Sequence, residues 1–183
     1  MTRVFRASHA YDDLPPVPII TARGGTFAPT LATFTGEIQQ YTFGVATDNP
    51  FVLGSSEVTH TYQEGTDIEA HVHWATGGTN VDDRYVQFQL KVSVAHIGAA
   101  TGAQQTLLTG DLLIPAATAS RTIFVNSFTA MIPGASLVIG DYLVFRFERI
   151  AATGTAPTDD PFVLAVGFHV EQDSTGSIAR YAK

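Results

Sequence analysis

Two histidines separated by a single residue form the most chemically suggestive stretch of this chain. His71 and His73 lie in the segment DIEAHVHW, which begins at Asp67. Alternate side chains of a β-strand point to the same face, so the two imidazoles could bind one metal ion. A metal site needs at least three ligands, and the sequence offers His169 and Glu171 as additional ones. A strand with one polar face would produce the same spacing without any metal.

The spacing also matches the first half of the metal-binding pattern of cupins, because Gly65 is followed by five residues and then by His-x-His. A cupin has a glutamate about four or five residues after the second histidine, whereas this chain has Gly77 and Gly78. The second cupin motif is missing too, because Pro133-Gly134 is not followed by a histidine. Nucleophile-elbow, phosphate-loop and zinc-protease motifs are absent from the sequence. We therefore predict no enzymatic activity, no metal, no cofactor and no catalytic residue.

Charge and composition argue against several classes of partner. The chain has 183 residues, a formal net charge of −7 and no cysteine, which rules out disulfides and thiolate metal sites. An acidic chain without a basic cluster does not favour nucleic-acid binding. No apolar run approaches the ~18 residues of a membrane-spanning helix, and the first residues lack the apolar core of a secretory signal. We expect a soluble protein that binds neither nucleic acid nor membrane.

Apolar residues recur with a period of two along most of the chain. In the histidine segment, Ile68 and Trp74 fall on one face and the histidines on the other. The same period runs through DRYVQFQLKVSVAHI, DYLVFRFERI and FVLAVGFHVEQD, and it indicates strands. The residues predicted to face the core in these three strands are Val86, Phe88, Leu90, Val92, Val94, Leu143, Phe145, Phe147, Phe162, Leu164, Val166, Phe168 and Val170.

These strands predict an all-β fold, because each has one apolar face and turns rich in Gly and Pro separate them. The most consistent architecture is an antiparallel β-sandwich of jelly-roll type that occupies residues 39–183. An immunoglobulin-like sandwich is the alternative. Residues 1–38 show no sustained period and contain prolines at positions 15, 16, 18 and 29. They predict an extended N-terminal arm.

The predicted arm is more apolar than a typical disordered tail, so we expect it to lie on another surface. A flexible terminus with no partner is the alternative. The residues with which the arm would make its contacts are Phe5, Tyr11, Ile19, Ile20 and Phe27.

The strand faces opposite the core are rich in Gln, His, Arg and Glu. These side chains form hydrogen bonds in several directions, which suits a hydrated subunit interface. An ordinary solvent-exposed face is the alternative, since the outer sheets of sandwiches are normally polar. The residues that we predict at an oligomer interface are His71, His73, His169, Arg146 and Gln89.

Three segments resemble a group of jelly-roll virion proteins of tailed bacteriophages. DIEAHVHWAT is similar to a His-x-His-Trp strand of that group, and DDPFVLAVGFHVEQDSTGS is similar to its C-terminal region. YLVFRFERI, which lies between them, fits as well. The resemblance covers roughly residues 60–180 and leaves the predicted arm outside it. Its motifs are structural and indicate no particular catalytic or binding chemistry.

The resemblance implies a capsid cement or decoration protein that binds and stabilises the head shell as a homotrimer. Its partner would be the major capsid protein of the same virion, and the five apolar arm residues would be the capsid-binding anchors. The protein would be made in the host cytoplasm and lie on the capsid surface. The alternative that the sequence leaves open is a head-fibre or tail module that binds host-surface glycan.

Overall fold

The chain folds into two antiparallel β-sheets that pack face to face as a β-sandwich. The computed structural model describes residues 10–14, 28–45 and 49–172, and in these residues every regular element is a strand. None of the described residues belong to a helix long and apolar enough to cross a membrane. The predicted all-β class and the predicted antiparallel sandwich are confirmed.

The described part of the chain contains eleven strands. They are β1 (Ala10–Asp13), β2 (Thr30–Thr35), β3 (Ile38–Thr42), β4 (Phe51–Glu57), β5 (Glu69–Ala75), β6 (Arg84–Ala95), β7 (Gln105–Leu108), β8 (Leu112–Ile114), β9 (Ile123–Ser127), β10 (Tyr142–Ile150) and β11 (Phe162–Gln172).

The chain passes repeatedly from one sheet to the other. The first sheet has the order β2-β3-β11-β5-β9, and β1 pairs with β11 beside it. The second sheet has the order β4-β10-β6-β7, with β8 also paired to β6. The late strands β10 and β11 therefore lie between early strands, and every pairing between the named strands is antiparallel.

The core lies between the sheets and follows the period of two. Ile68, Val72 and Trp74 of β5 and its approach are fully buried, as predicted. The Trp74 ring stacks on Phe124 with centroids 4.8 Å apart, and its indole N–H donates to the side-chain Oδ1 of Asn126 over 2.8 Å. A buried tryptophan usually needs such a partner for its N–H. Trp74 is therefore not available to stack on a ligand at the surface.

The alternation predicted for β11 is broken by a β-bulge. The pairing with β5 shifts between Val163 and Ala165, so Leu164 is the extra residue. Val163 lies opposite Trp74 and joins the core, whereas Phe162 faces away from it. Phe162 is nevertheless buried, because Phe34 packs on its ring at 5.3 Å. The prediction that Phe162 and Leu164 share the core face with Val166 was therefore wrong.

Two strands come from the segment that was predicted to be an extended arm. β1 pairs with the end of β11, and Leu14, which follows β1, is buried in the core. β2 pairs with β3 around Gly36, which has a φ of +53°. The predicted boundary at residue 38 therefore falls at this hairpin. The sequence pattern missed β2 because it is an edge strand with no buried residue, so its apolar side chains have no period.

Candidate functional site

A cluster of histidines and carboxylates lies on the outer face of the first sheet. His71 and His73 project from β5 on the side opposite Trp74, as the sequence predicted. His169 projects from the same face of the neighbouring strand β11. The imidazoles of His71 and His169 stack with centroids 4.1 Å apart, and those of His71 and His73 lie 5.0 Å apart. The fold therefore brings the three predicted histidines together.

A glycine makes this arrangement possible. Gly167 of β11 lies directly opposite His71 of β5. A Cβ atom at position 167 would be 2.4 Å from Nε2 of His71, so the imidazole occupies the space that a side chain would fill. Because the ring lies over β11, it points from β5 towards β1 on the far side of β11.

β1 supplies a carboxylate on that far side. Asp13 pairs with His169 in the sheet, and its Oδ1 lies 3.0 Å from Nε2 of His169 and 4.0 Å from Nε2 of His71. Glu69 of β5 approaches the other nitrogen of His169, with Oε2 3.9 Å from Nδ1. The Ser127 hydroxyl donates to the Glu69 carboxylate. His169 thus lies between two carboxylates.

His71 is buried although it lies on an outer face. Its side chain is only 3% exposed, and its Nδ1 has no hydrogen-bond partner among the described residues. Burial lowers the pKa of His71 below its ordinary value of 6.5, and the neighbouring imidazoles of His169 and His73 lower it further. Asp13 and Glu69 oppose that shift only in part. The imidazole is therefore held in its neutral form at neutral pH.

Asp13 is the residue of this cluster that the sequence analysis did not identify. It is followed by a proline-rich segment, and nothing in the local pattern connects it to the histidines. The connection depends on β1 pairing with β11, a contact between residues about 150 positions apart. Glu171, which the sequence suggested as a ligand, is not in the group formed by Asp13, His71 and His169, whose ligand atoms all lie within 4.8 Å of one another.

The other two predicted interface residues lie on the opposite side of the sandwich. Arg146 and Gln89 project from the outer face of the second sheet, so they do not share a surface with the histidines. The Arg146 guanidinium donates to Glu148 over 2.8 Å and lies 3.8 Å above the Phe51 ring. Lys91 also pairs with Glu148, at 3.0 Å. The guanidinium of Arg146 therefore already makes contacts within its own chain.

Four of the five predicted arm anchors, Phe5, Ile19, Ile20 and Phe27, lie outside the described residues. Tyr11 lies in β1, opposite Glu171 of β11. The backbone of this one anchor is therefore part of the first sheet.

Both outer faces expose apolar side chains. On β9, which pairs only with β5 within the described residues, Ile123 and Val125 are more than half exposed and form what we term the β9 surface. Val125 lies opposite His73, so the β9 surface borders the histidine cluster. On the second sheet, Leu53 and Val144 line one shallow depression and form what we term the β4–β10 surface.

Comparison with known proteins does not assign this site, because no protein-family model matches the chain and no curated protein is significantly similar to it.

Proposed function

We propose that the chain is a structural protein of a tailed-bacteriophage virion, a cement or decoration protein that binds the head shell as a homotrimer and is not an enzyme. The observation that carries the proposal is the exposure of apolar side chains on both outer faces, Ile123 and Val125 on one and Leu53 and Val144 on the other. A sandwich that acts alone normally keeps these faces polar. The choice of a phage head shell as the assembly follows from the sequence resemblance to virion jelly rolls.

We assign the sandwich to the jelly-roll type. The support is the order of eight strands, with β7 and β8 counted as one interrupted strand. They form one sheet with the order β3-β11-β5-β9 and another with the order β4-β10-β6-β7. Two interleaved Greek keys produce sheets of this kind, with late strands between early ones.

The β9 surface is the part that joins copies of the chain. β9 is an edge strand of the described sheet with two exposed apolar side chains on its outer face, Ile123 and Val125, and such an edge readily contacts another chain. A closed trimer uses two different surfaces that are inclined towards each other on every subunit. The outer faces of the two sheets point in opposite directions, so joining copies through both would build a stack. We therefore assign the β9 surface to one side of the trimer contact and the β4–β10 surface to the shell.

The apolar N-terminal residues extend the contact with the shell. Each aromatic or aliphatic side chain that becomes buried contributes roughly 1.5–3 kcal/mol. Three chains in one trimer bind together, so weak contacts of single chains add up to stable attachment. Phe5, Ile19, Ile20 and Phe27 are the anchors in this proposal, and the major capsid protein is the partner.

Co-sedimentation with purified phage heads tests the proposed function. We expect the intact chain to pellet with heads and a Leu53→Glu/Val144→Glu variant to bind about tenfold or more weakly, because two charges would face an apolar contact. A Phe5→Ser/Phe27→Ser variant should weaken binding as well. Val81→Glu is the matched control, since Val81 is 88% exposed and lies outside both surfaces.

Failure of the intact chain to pellet with heads would contradict the cement function. Binding of the same protein to host-surface glycans would then favour the alternative, a head-fibre or tail module.

A further inference from the structure

The cluster on the outer face of the first sheet has the composition of a metal site, although the sequence led us to expect none. We propose that Asp13, His71 and His169 bind one divalent transition-metal ion, with Zn²⁺ as the best-suited example, and that the ion fastens β1 to the sheet. The sequence offered His71 and His169 as ligands but gave no sign of the third ligand of this group. The fold supplies it as Asp13, from a strand far away in sequence.

The separations of the three ligand atoms fit a single ion. Nitrogen and oxygen ligands lie about 2.0–2.2 Å from Zn²⁺, which places neighbouring ligand atoms of a tetrahedral site about 3.4 Å apart. Oδ1 of Asp13 is 3.0 Å from Nε2 of His169 and 4.0 Å from Nε2 of His71. One distance is shorter and the other longer than the separation of about 3.4 Å that a tetrahedral site requires. The ligand atoms of all three residues lie within 4.8 Å of one another, so small adjustments would bring them around one ion.

The state of His71 is a second, independent observation. A buried polar side chain almost always has its hydrogen bonds satisfied, yet Nδ1 of the buried His71 imidazole has no partner among the described residues. Its Nε2 lies in the space that Gly167 leaves free on β11, 4.0 Å from Oδ1 of Asp13, which is too far for a hydrogen bond. An ion between Nε2 and Oδ1 would tie this under-satisfied imidazole to Asp13.

The surroundings also fit a metal ligand set. A histidine that binds a metal usually donates its other ring N–H to a carboxylate, and Oε2 of Glu69, 3.9 Å from Nδ1 of His169, would have to move closer to accept it. Two imidazoles and one carboxylate favour Zn²⁺ or another first-row transition ion over Mg²⁺ or Ca²⁺, which prefer oxygen ligands only.

The ion would join three strands. His71 belongs to β5, His169 to β11 and Asp13 to β1. β1 has four residues and, in the part of the chain that the structure describes, pairs with β11 alone, so its own contacts hold it weakly. A metal bound to its last residue would keep the N-terminal segment at a fixed place on the sandwich.

Calorimetric titration of Zn²⁺ into EDTA-treated, dialysed protein tests the proposal. We expect one ion per chain and a higher melting temperature with Zn²⁺ than without it. Asp13→Asn and His169→Ala should each weaken binding by more than about 100-fold, because changes of outer-shell partners alone cost 10–100-fold. Both side chains are partly exposed, so these variants should fold.

His73→Ala is the matched control. His73 projects from the same face of β5 but is not in the group of three ligand residues, so this variant should keep one ion per chain. Hydrogen exchange should show that Zn²⁺ protects the amides of β1 in the intact chain and not in the Asp13→Asn variant. Absence of binding, or binding that survives Asp13→Asn, would overturn the proposal.

Discussion

At the level of single residues, the histidine cluster depends on a glycine as much as on the histidines. The imidazole of His71 occupies the position that a side chain at Gly167 would need. Glycine is therefore required at position 167 by its neighbour and not by its own backbone conformation. The sequence pattern indicates all three histidines but not this glycine, because the contact joins two residues that are 96 positions apart (167 minus 71) on different strands.

Gly167→Ala should destabilise the fold by about 1–3 kcal/mol, the usual cost of forcing a methyl group into occupied space. Urea denaturation followed by tryptophan fluorescence would measure the loss. Gly102→Ala is a suitable control, because a Cβ atom there would approach only the Val94 carbonyl, at 3.4 Å. A variant as stable as the parent chain would show that His71 does not need this space.

A second prediction concerns a buried arginine. The Arg149 side chain is 3% exposed, and its guanidinium donates to Asp160 over 2.7 Å and to the Phe43 carbonyl over 3.0 Å. Burial lowers the pKa of Arg149, and the Asp160 carboxylate opposes that shift. Removal of the carboxylate leaves a buried positive charge without its counter-ion.

We expect Asp160→Asn to lower the free energy of unfolding by about 2 kcal/mol, less than the ~3–5 kcal/mol of a fully buried pair because Asp160 is half exposed. Asp159→Asn, one residue earlier, is the control and should have a much smaller effect. Equal losses of stability in the two variants would contradict this role of Asp160.

At the level of elements, the sequence predicts strands well where one face is buried. The core faces of β5 and β10 and most of that of β6 follow directly from the alternation of apolar residues, because the side-chain period of a strand is two. The bulge in β11 was not predictable in this way. One extra residue, Leu164, reverses the faces of Phe162 and Val163, and a run of apolar residues gives no sign of it.

The short edge strands escaped prediction for a different reason. β2 is held at the edge of the sheet by its pairing with β3, by the packing of Phe34 on Phe162 and by the side chain of Arg121. The Arg121 guanidinium donates to the carbonyls of Phe34 and Thr33, each over 3.0 Å, and lies 4.5 Å above the Phe162 ring. These contacts of Arg121 join residues that are far apart in the sequence, and the alternation of apolar residues gives no sign that they meet.

Arg121→Ala should therefore loosen β2 without unfolding the core. We expect hydrogen exchange of the β2 amides to become faster, while β5 and β10 keep their protection. Arg84→Ala is the control, because Arg84 pairs with the exposed Asp82 at 3.6 Å and lies in the other sheet. Unchanged exchange in β2 of the Arg121→Ala variant would argue against this role.

At the level of the whole molecule, the two sheets present different surfaces. The first carries the histidine cluster beside the exposed Ile123 and Val125, and the second carries the ion pairs of Glu148 beside Leu53 and Val144. The sequence predicted polar outer faces but not which residues would share one. That division follows from the strand order, which depends on pairings between distant parts of the chain.

Val125→Glu should separate the proposed trimer into single chains, because it places a negative charge in the centre of the β9 surface of an already acidic protein. Its circular dichroism should be unchanged, since Val125 is more than half exposed. Val81→Glu adds the same charge elsewhere and should remain trimeric. A trimeric Val125→Glu variant would remove the β9 surface from the interface.

The most direct test of assembly is the molar mass of the purified intact chain, measured by sedimentation equilibrium at several concentrations. We predict three times the chain mass of 19.6 kDa. A mass of one chain at every concentration would contradict the proposal that this sandwich works as a trimer on a virion shell.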